Sequence, residues 1–182
     1  MATNDSMSRH EALSILERCG ISGANVYLMD LIPLIEMVWA DGKVQPSEIA
    51  ILDRFLRQHI KKINMICGDG VLDLKTARAF CTRFLDERPD PDFLCRLRRL
   101  IKPVHLLLFK GESLHNSIDA LLAVCSDIAE NAVMEFPQAA PGRLNTAEKS
   151  CLFEIRKTFW EFIGIAVSFD KAFNKTSPRS SG

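Results

Sequence analysis

Residues 30–56, DLIPLIEMVWADGKVQPSEIAILDRFL, decide the fold. The stretch from Ala24 to Ala40 is apolar on nearly every side of a helix, and such a helix belongs in the middle of a core rather than on its surface. Pro33 interrupts it, because an interior proline removes one backbone hydrogen bond and clashes with the preceding turn. The segment is therefore either kinked there or begins a new helix near Ile32. Asp41-Gly42 ends it, and Pro46 stands at a first-turn position that favours a further helix to Ile60 or beyond.

Helical signals continue in both directions. Ser8 can cap a helix from Arg9 to Cys19 that stops at Gly20. Gly68-Asp69-Gly70 is a turn, Asp73 can cap a helix over 74–86, and Asp90 can cap one from Pro91 that breaks or bends at Pro103. A long helix over 113–132 follows, then the loop EFPQAAPGR, then a capping-box start at Asn145-Thr-Ala-Glu148 for a helix to Ile163. A last turn runs from Ser168 to Phe173. Leu, Ile, Ala, Arg and Glu recur at helical spacing and alternating β-branched runs are missing, so the expected class is all-α.

Bulk composition narrows the classes. With 182 residues, 47% hydrophobic and 23 residues of each charge, the chain fits one domain and exerts no global pull on nucleic acid or acidic membranes. The opening MATNDSMSRHEA lacks an apolar signal region, and Asp30 and Glu36 interrupt the most apolar stretch, so a cytoplasmic protein without membrane insertion is expected. The six cysteines, at 19, 67, 81, 95, 125 and 151, never approach a zinc-ligand spacing and read as small buried hydrophobes in a reducing compartment. The four histidines stand alone.

Laid against 119–156, the opening stretch shows an internal echo. Asp30 to Asp41 and Asp119 to Glu130 are both eleven positions apart, and Val44, Glu48, Leu52 and Phe55 fall on Leu144, Glu148, Leu152 and Ile155. The second copy carries an eleven-residue insertion between its acid and its second element, expected to be an exposed loop over 132–143. The expected architecture is a compact helical bundle of two degenerate repeats, about 24–60 and 113–163, related by a pseudo-twofold axis. Residues 1–23 form an N-terminal segment with a short helix, and 174–182 a disordered tail.

The string MVWADGKVQPSE, residues 37–48, resembles the signature of the TerB family of tellurite-resistance and stress proteins: an apolar helix, an Ala-Asp-Gly turn, and a new helix opening with Ser/Pro-x-Glu. The closing Phe162-Ile163-Gly164-Ile165, followed by Phe169 and Phe173, is also similar to that family, so the resemblance spans 24–173. Glu130-Asn131 departs from it where the family has Asp-Gly. The resemblance implies a non-catalytic module in a stress response, binding divalent cations through clustered carboxylates and working with a protein partner.

An EF-hand is the tempting alternative around Gly42 and Glu48, but its first and third positions would be Met37 and Trp39, which offer no side-chain oxygen. The repeated acids are the better candidates. Asp30 and Asp119 stand in nearly continuous apolar sequence, where a lone carboxylate is costly and needs a tertiary partner. Eleven residues return to within roughly 20° of the starting face but about 16 Å further along the axis, so one helix alone does not chelate an ion with both of its acids. Antiparallel packing of the copies would bring Asp30 toward Glu130 and Asp119 toward Asp41, with Glu48 and Glu148 nearby. Such oxygen-rich ends suit Ca²⁺, Mg²⁺ or Mn²⁺.

A purely structural role stands beside this one. Asp41 can serve a turn, Glu48 and Glu148 can cap their helices, and Asp30 and Asp119 can bond to a neighbouring cation or amide. In that case the chain is an interaction scaffold. The basic run Cys95 to Lys102 lacks interleaved aromatics and reads as a solvated helix face, or else turns arginines toward the acids. No nucleophile elbow, P-loop, HExxH or GxGxxG string occurs, and helical Glu-x-x-His pairs are missing, so no enzyme is expected.

Overall fold

A computed structural model describes residues 7–105, 114–132 and 145–163. Helix α1 covers Arg9–Arg18, and Ser8 and Glu11 close a capping box at its start, the Ser8 amide donating to Glu11 Oε2 at 2.8 Å. The chain then turns at Gly20 and enters a 3-10 segment, Gly23–Leu31, that passes directly into α2, Ile32–Val38. Pro33 therefore sits in the first turn of α2, where its missing N–H costs nothing. Of the two readings the proline allowed, the new start at Ile32 is the one found, and the segment before it is wound more tightly than an α-helix.

Helix α3, Pro46–Cys67, is followed by α4, Leu74–Leu85, capped by Asp73, whose Oδ1 accepts from the Thr76 amide at 2.8 Å. Helices α5, Pro91–Arg99, and α6, Ile101–His105, come next. The break falls at Leu100 and not at Pro103, which sits in the first turn of α6 where proline is tolerated. Helices α7, Leu114–Ala132, and α8, Thr146–Ile163, complete the described chain, which contains no strand. The expected insertion loop, the final turn after Ser168 and the polar tail lie outside the described residues.

Helix α2 is the centre of the molecule. All seven of its residues are buried, from Ile32 to Val38, and it packs against α7, α5, α8 and the 3-10 segment. Helix α7 in turn lies against α3 and α8, so the two apolar acid-bearing stretches of the sequence do meet. A helix without a solvent face can only be placed by surrounding it, and that requirement brings α5, α7 and α8 together around one end of α2. Among the described residues no single helix is long and apolar enough to cross a membrane.

Candidate functional site

The end of α2 delivers Asp41 and Gly42 into a tight turn before α3. Gly42 has φ +85°, a left-handed conformation that side chains rarely adopt. Asp41 Oδ1 accepts from the Lys43 amide at 2.9 Å, and its Oδ2 accepts from the Gln45 side-chain amide at 3.3 Å. Glu48 follows in the first turn of α3. It is 1% exposed, and its Oε2 accepts from the Gln45 backbone amide at 2.9 Å.

Helix α8 opens in the same manner. The Asn145 amide donates to Glu148 Oε2 at 2.7 Å, and the Glu148 amide donates to Asn145 Oδ1 at 2.8 Å, closing the expected capping box. Glu148 is 2% exposed. Burial raises its pKa above the usual carboxylate value, the Asn145 amide partly opposes this, and the negative charge of Asp41 adds to it. Asp41 and Glu148, 107 positions apart in the chain, thus share one electrostatic neighbourhood.

Two buried oxygens in this region have no partner: Oε1 of Gln45 and Oγ of Ser47. Unsatisfied buried acceptors are uncommon in folded proteins and point to a missing donor, a water or an ion. The site can therefore offer two carboxylates and an amide oxygen to a hard cation. Among the described residues, however, no three histidine, cysteine, aspartate or glutamate side chains converge as a metal-holding group.

The other expected ligands are dispersed. Asp30 is largely buried, as expected, with its side chain 13% exposed and Oδ2 at 3.9 Å from His59 Nδ1, so it faces a histidine of α3. His59 is itself buried, stacks on Phe55 at 5.6 Å, and its Nε2 donates to the Tyr27 carbonyl at 2.6 Å. Asp119 was expected to be buried and is exposed, as are Glu130 and Asp127. The reason is helical phase: Ile118, Leu121, Leu122 and Cys125 make the inward stripe of α7, and Asp119 falls on the outward face.

The sequence left open whether an arginine of the basic run turns toward an acid, and it did not single out which arginine or which acid. Arg98 of α5 is 3% exposed, and its Nη1 donates to both carboxylate oxygens of Glu36, each at 2.6 Å. Its Nε donates to Thr158 Oγ1 of α8 at 3.1 Å. The available signal was Glu36 itself, an acid in the middle of a helix with no polar face. Arg96 and Arg99 are exposed, so the basic run is a solvated face except at Arg98, which turns inward to an acid.

Beside this pair lies a cavity of about 410 Å³, between the end of α2 and the first turns of α5 and α8. Trp39, Cys95, Arg98 and Cys151 are among its lining residues. Trp39 is held by its indole N–H, which donates to the Phe84 carbonyl at 2.9 Å. No family model, no curated protein and no solved structure matches the chain.

Proposed function

We propose that the chain is a non-catalytic, TerB-like binding module in which a divalent cation, Ca²⁺, Mg²⁺ or Mn²⁺, is held between Asp41 and Glu148. The observation that carries this reading is the neighbourhood of those two carboxylates beside Gln45, whose Oε1 is buried without a partner. Rotating the Gln45 amide by half a turn would exchange its Nε2 donor for Oε1 beside Asp41, giving a third oxygen ligand at little steric cost. Waters would complete the coordination, as they commonly do around Mg²⁺ and in weaker Ca²⁺ sites. One acid comes from each of the two halves, Asp41 from the turn of the first and Glu148 from the helix start of the second, which suits an ancestral duplication with a site at its junction. A stress-response role with a protein partner is what the resemblance adds.

A second reading is favoured by the same capping bonds. Glu48 and Glu148 already accept from the amides of Gln45 and Asn145, so the acids can be wholly structural and the chain an interaction scaffold. Thermal unfolding of protein purified without added metal separates the two, first in EDTA and then in excess of each ion. Specific binding is expected to raise stability by about 2.7 kcal/mol at a hundredfold excess over Kd. Asp41→Asn should lose that gain while keeping an oxygen for the Lys43 amide. Wild-type stability unmoved by all three ions sinks the cation reading and leaves the scaffold.

A further inference from the structure

Charge is unevenly spread, although the chain carries none in sum. From Pro46 to Leu85, the span of α3 and α4, seven lysines and arginines stand against four acids, and one of those acids, Glu48, is buried. The rest of the chain holds the complementary excess of acids. Helical phase sorts the cations of α3. Leu52, Leu56, His59 and Ile63 form its buried stripe, and Arg54, Arg57, Lys61 and Met65 recur at intervals of three and four residues on the opposite, exposed face. Arg57 shares Asp53 with Arg78 of α4, which brings a further cation alongside. Arg54 and Lys61 form no ion pair among the described residues.

The row of cations ends on two apolar side chains. Met65 is 79% exposed and Ile66 is 43% exposed. Fraying of the helix end does not account for this. Asn64 donates from Nδ2 to the Leu72 carbonyl at 2.8 Å and accepts at Oδ1 from the Leu72 amide at 2.9 Å, so the turn after α3 is clasped to the last turn of the helix. Adjacent large apolar side chains held in water beside a row of cations have the composition of an interfacial helix, which sets apolar groups among lipid headgroups and cations against their phosphates.

We propose that the exposed face of α3 docks peripherally on an anionic lipid bilayer, with Arg54, Arg57 and Lys61 against the headgroups and Met65 and Ile66 entering the interfacial layer. Shape and area favour a bilayer over a protein partner. The outer face of a single helix is convex, and a bilayer requires no matching groove. Two apolar side chains cover far less than the roughly 1,000 Å² that a specific protein interface buries, whereas each cation near an anionic surface adds its own attraction. Asp69 in the clasped turn and Asp119, Asp127 and Glu130 on the neighbouring α7 are exposed and oppose that attraction. Charge alone therefore binds weakly, and the apolar pair sets where contact is made.

The test is co-sedimentation of the full chain, in EDTA so that no divalent ion bridges protein and lipid, with vesicles of equal parts phosphatidylcholine and phosphatidylserine and with vesicles of phosphatidylcholine alone. Wild type is expected on the anionic vesicles only, and to leave them as salt rises from about 0.1 M to about 0.5 M. Lys61→Gln should lower the partition constant about fivefold, and Asp69→Asn should raise it. Met65→Ser combined with Ile66→Ser should lower it about tenfold or more. All four side chains are exposed, so each variant should keep the wild-type unfolding midpoint. Equal binding to both kinds of vesicle, no binding to the anionic ones, or variants that bind as wild type does would each overturn the proposal. So would capture of a helical peptide of glutamate and leucine through Lys61 and Met65 with the vesicles left unbound, which assigns the face to an acidic protein partner.

Discussion

Arg98 and Glu36 meet 62 positions apart in the chain, with the Arg98 Nη1 at 2.6 Å from each carboxylate oxygen and both side chains less than one-tenth exposed. Burial raises the Glu36 pKa from its ordinary value of 4.5, and the charge and hydrogen bonds of Arg98 pull it back down.

Removing one partner is therefore worse than removing both. Arg98→Met strands a buried carboxylate and should cost about 3–5 kcal/mol, whereas Glu36→Leu with Arg98→Met should recover much of that loss. The sign of the pH effect follows from the raised pKa. An acid whose folded pKa lies above its unfolded value stabilises the protein fully below the unfolded value and loses that contribution as pH rises through the folded one. Urea unfolding of Arg98→Met should accordingly show stability falling from pH 4.5 upward, more steeply than in wild type.

The Glu148 pKa is also raised, through burial first and the Asp41 charge as an addition. Glu148→Gln keeps an oxygen for the Asn145 amide and removes the repulsion. Without divalent ions, its stability should match or exceed wild type at pH 7 and lose the decline above pH 4.5 that Glu148 contributes. With excess Ca²⁺ or Mg²⁺, wild type should gain stability and the variant should not.

Gly42→Ala tests the turn that presents Asp41. An alanine there keeps φ +85°, and its Cβ would stand 3.2 Å from an Arg88 guanidinium nitrogen. The expected cost is about 1–2 kcal/mol, read as a lowered urea midpoint with an unchanged slope.

His59→Phe preserves an aromatic ring against Phe55 but removes the donor to the Tyr27 carbonyl. An unmade buried bond of this kind costs about 1–3 kcal/mol, and amide exchange in the 3-10 segment should quicken. A variant as stable as wild type would mean that the 2.6 Å contact contributes nothing.

Element boundaries were legible where local chemistry sets them. Ser8, Asp73, Asp90 and Asn145 each cap the helix they were read as opening, because a cap is a bond between residues two or three apart. The burial of α2 was legible too, since no face of it is polar. Asp30 and Asp119 were harder. Their apolar neighbours are shared, but burial depends on which side of each helix meets the core, and Asp119 lies one position outside that stripe. The partner of Glu36 was not legible. Arg96, Arg98 and Arg99 are chemically alike in sequence, and only the packing of α5 selects which one turns inward.

The bond network of Arg98 joins α2, α5 and α8 across gaps of 60 and 62 residues, so each bond closes a long loop. Loop closure of that span is entropically costly before other contacts form, and such bonds belong to the late stages of folding. The consequence is kinetic. Weakening the network by Thr158→Val should leave the refolding limb of a chevron nearly unchanged and lift the unfolding limb, so the native state's lifetime would shorten with little change in how fast it is reached. The buried guanidinium then acts as a latch fastened after assembly, governing how long the bundle stays shut.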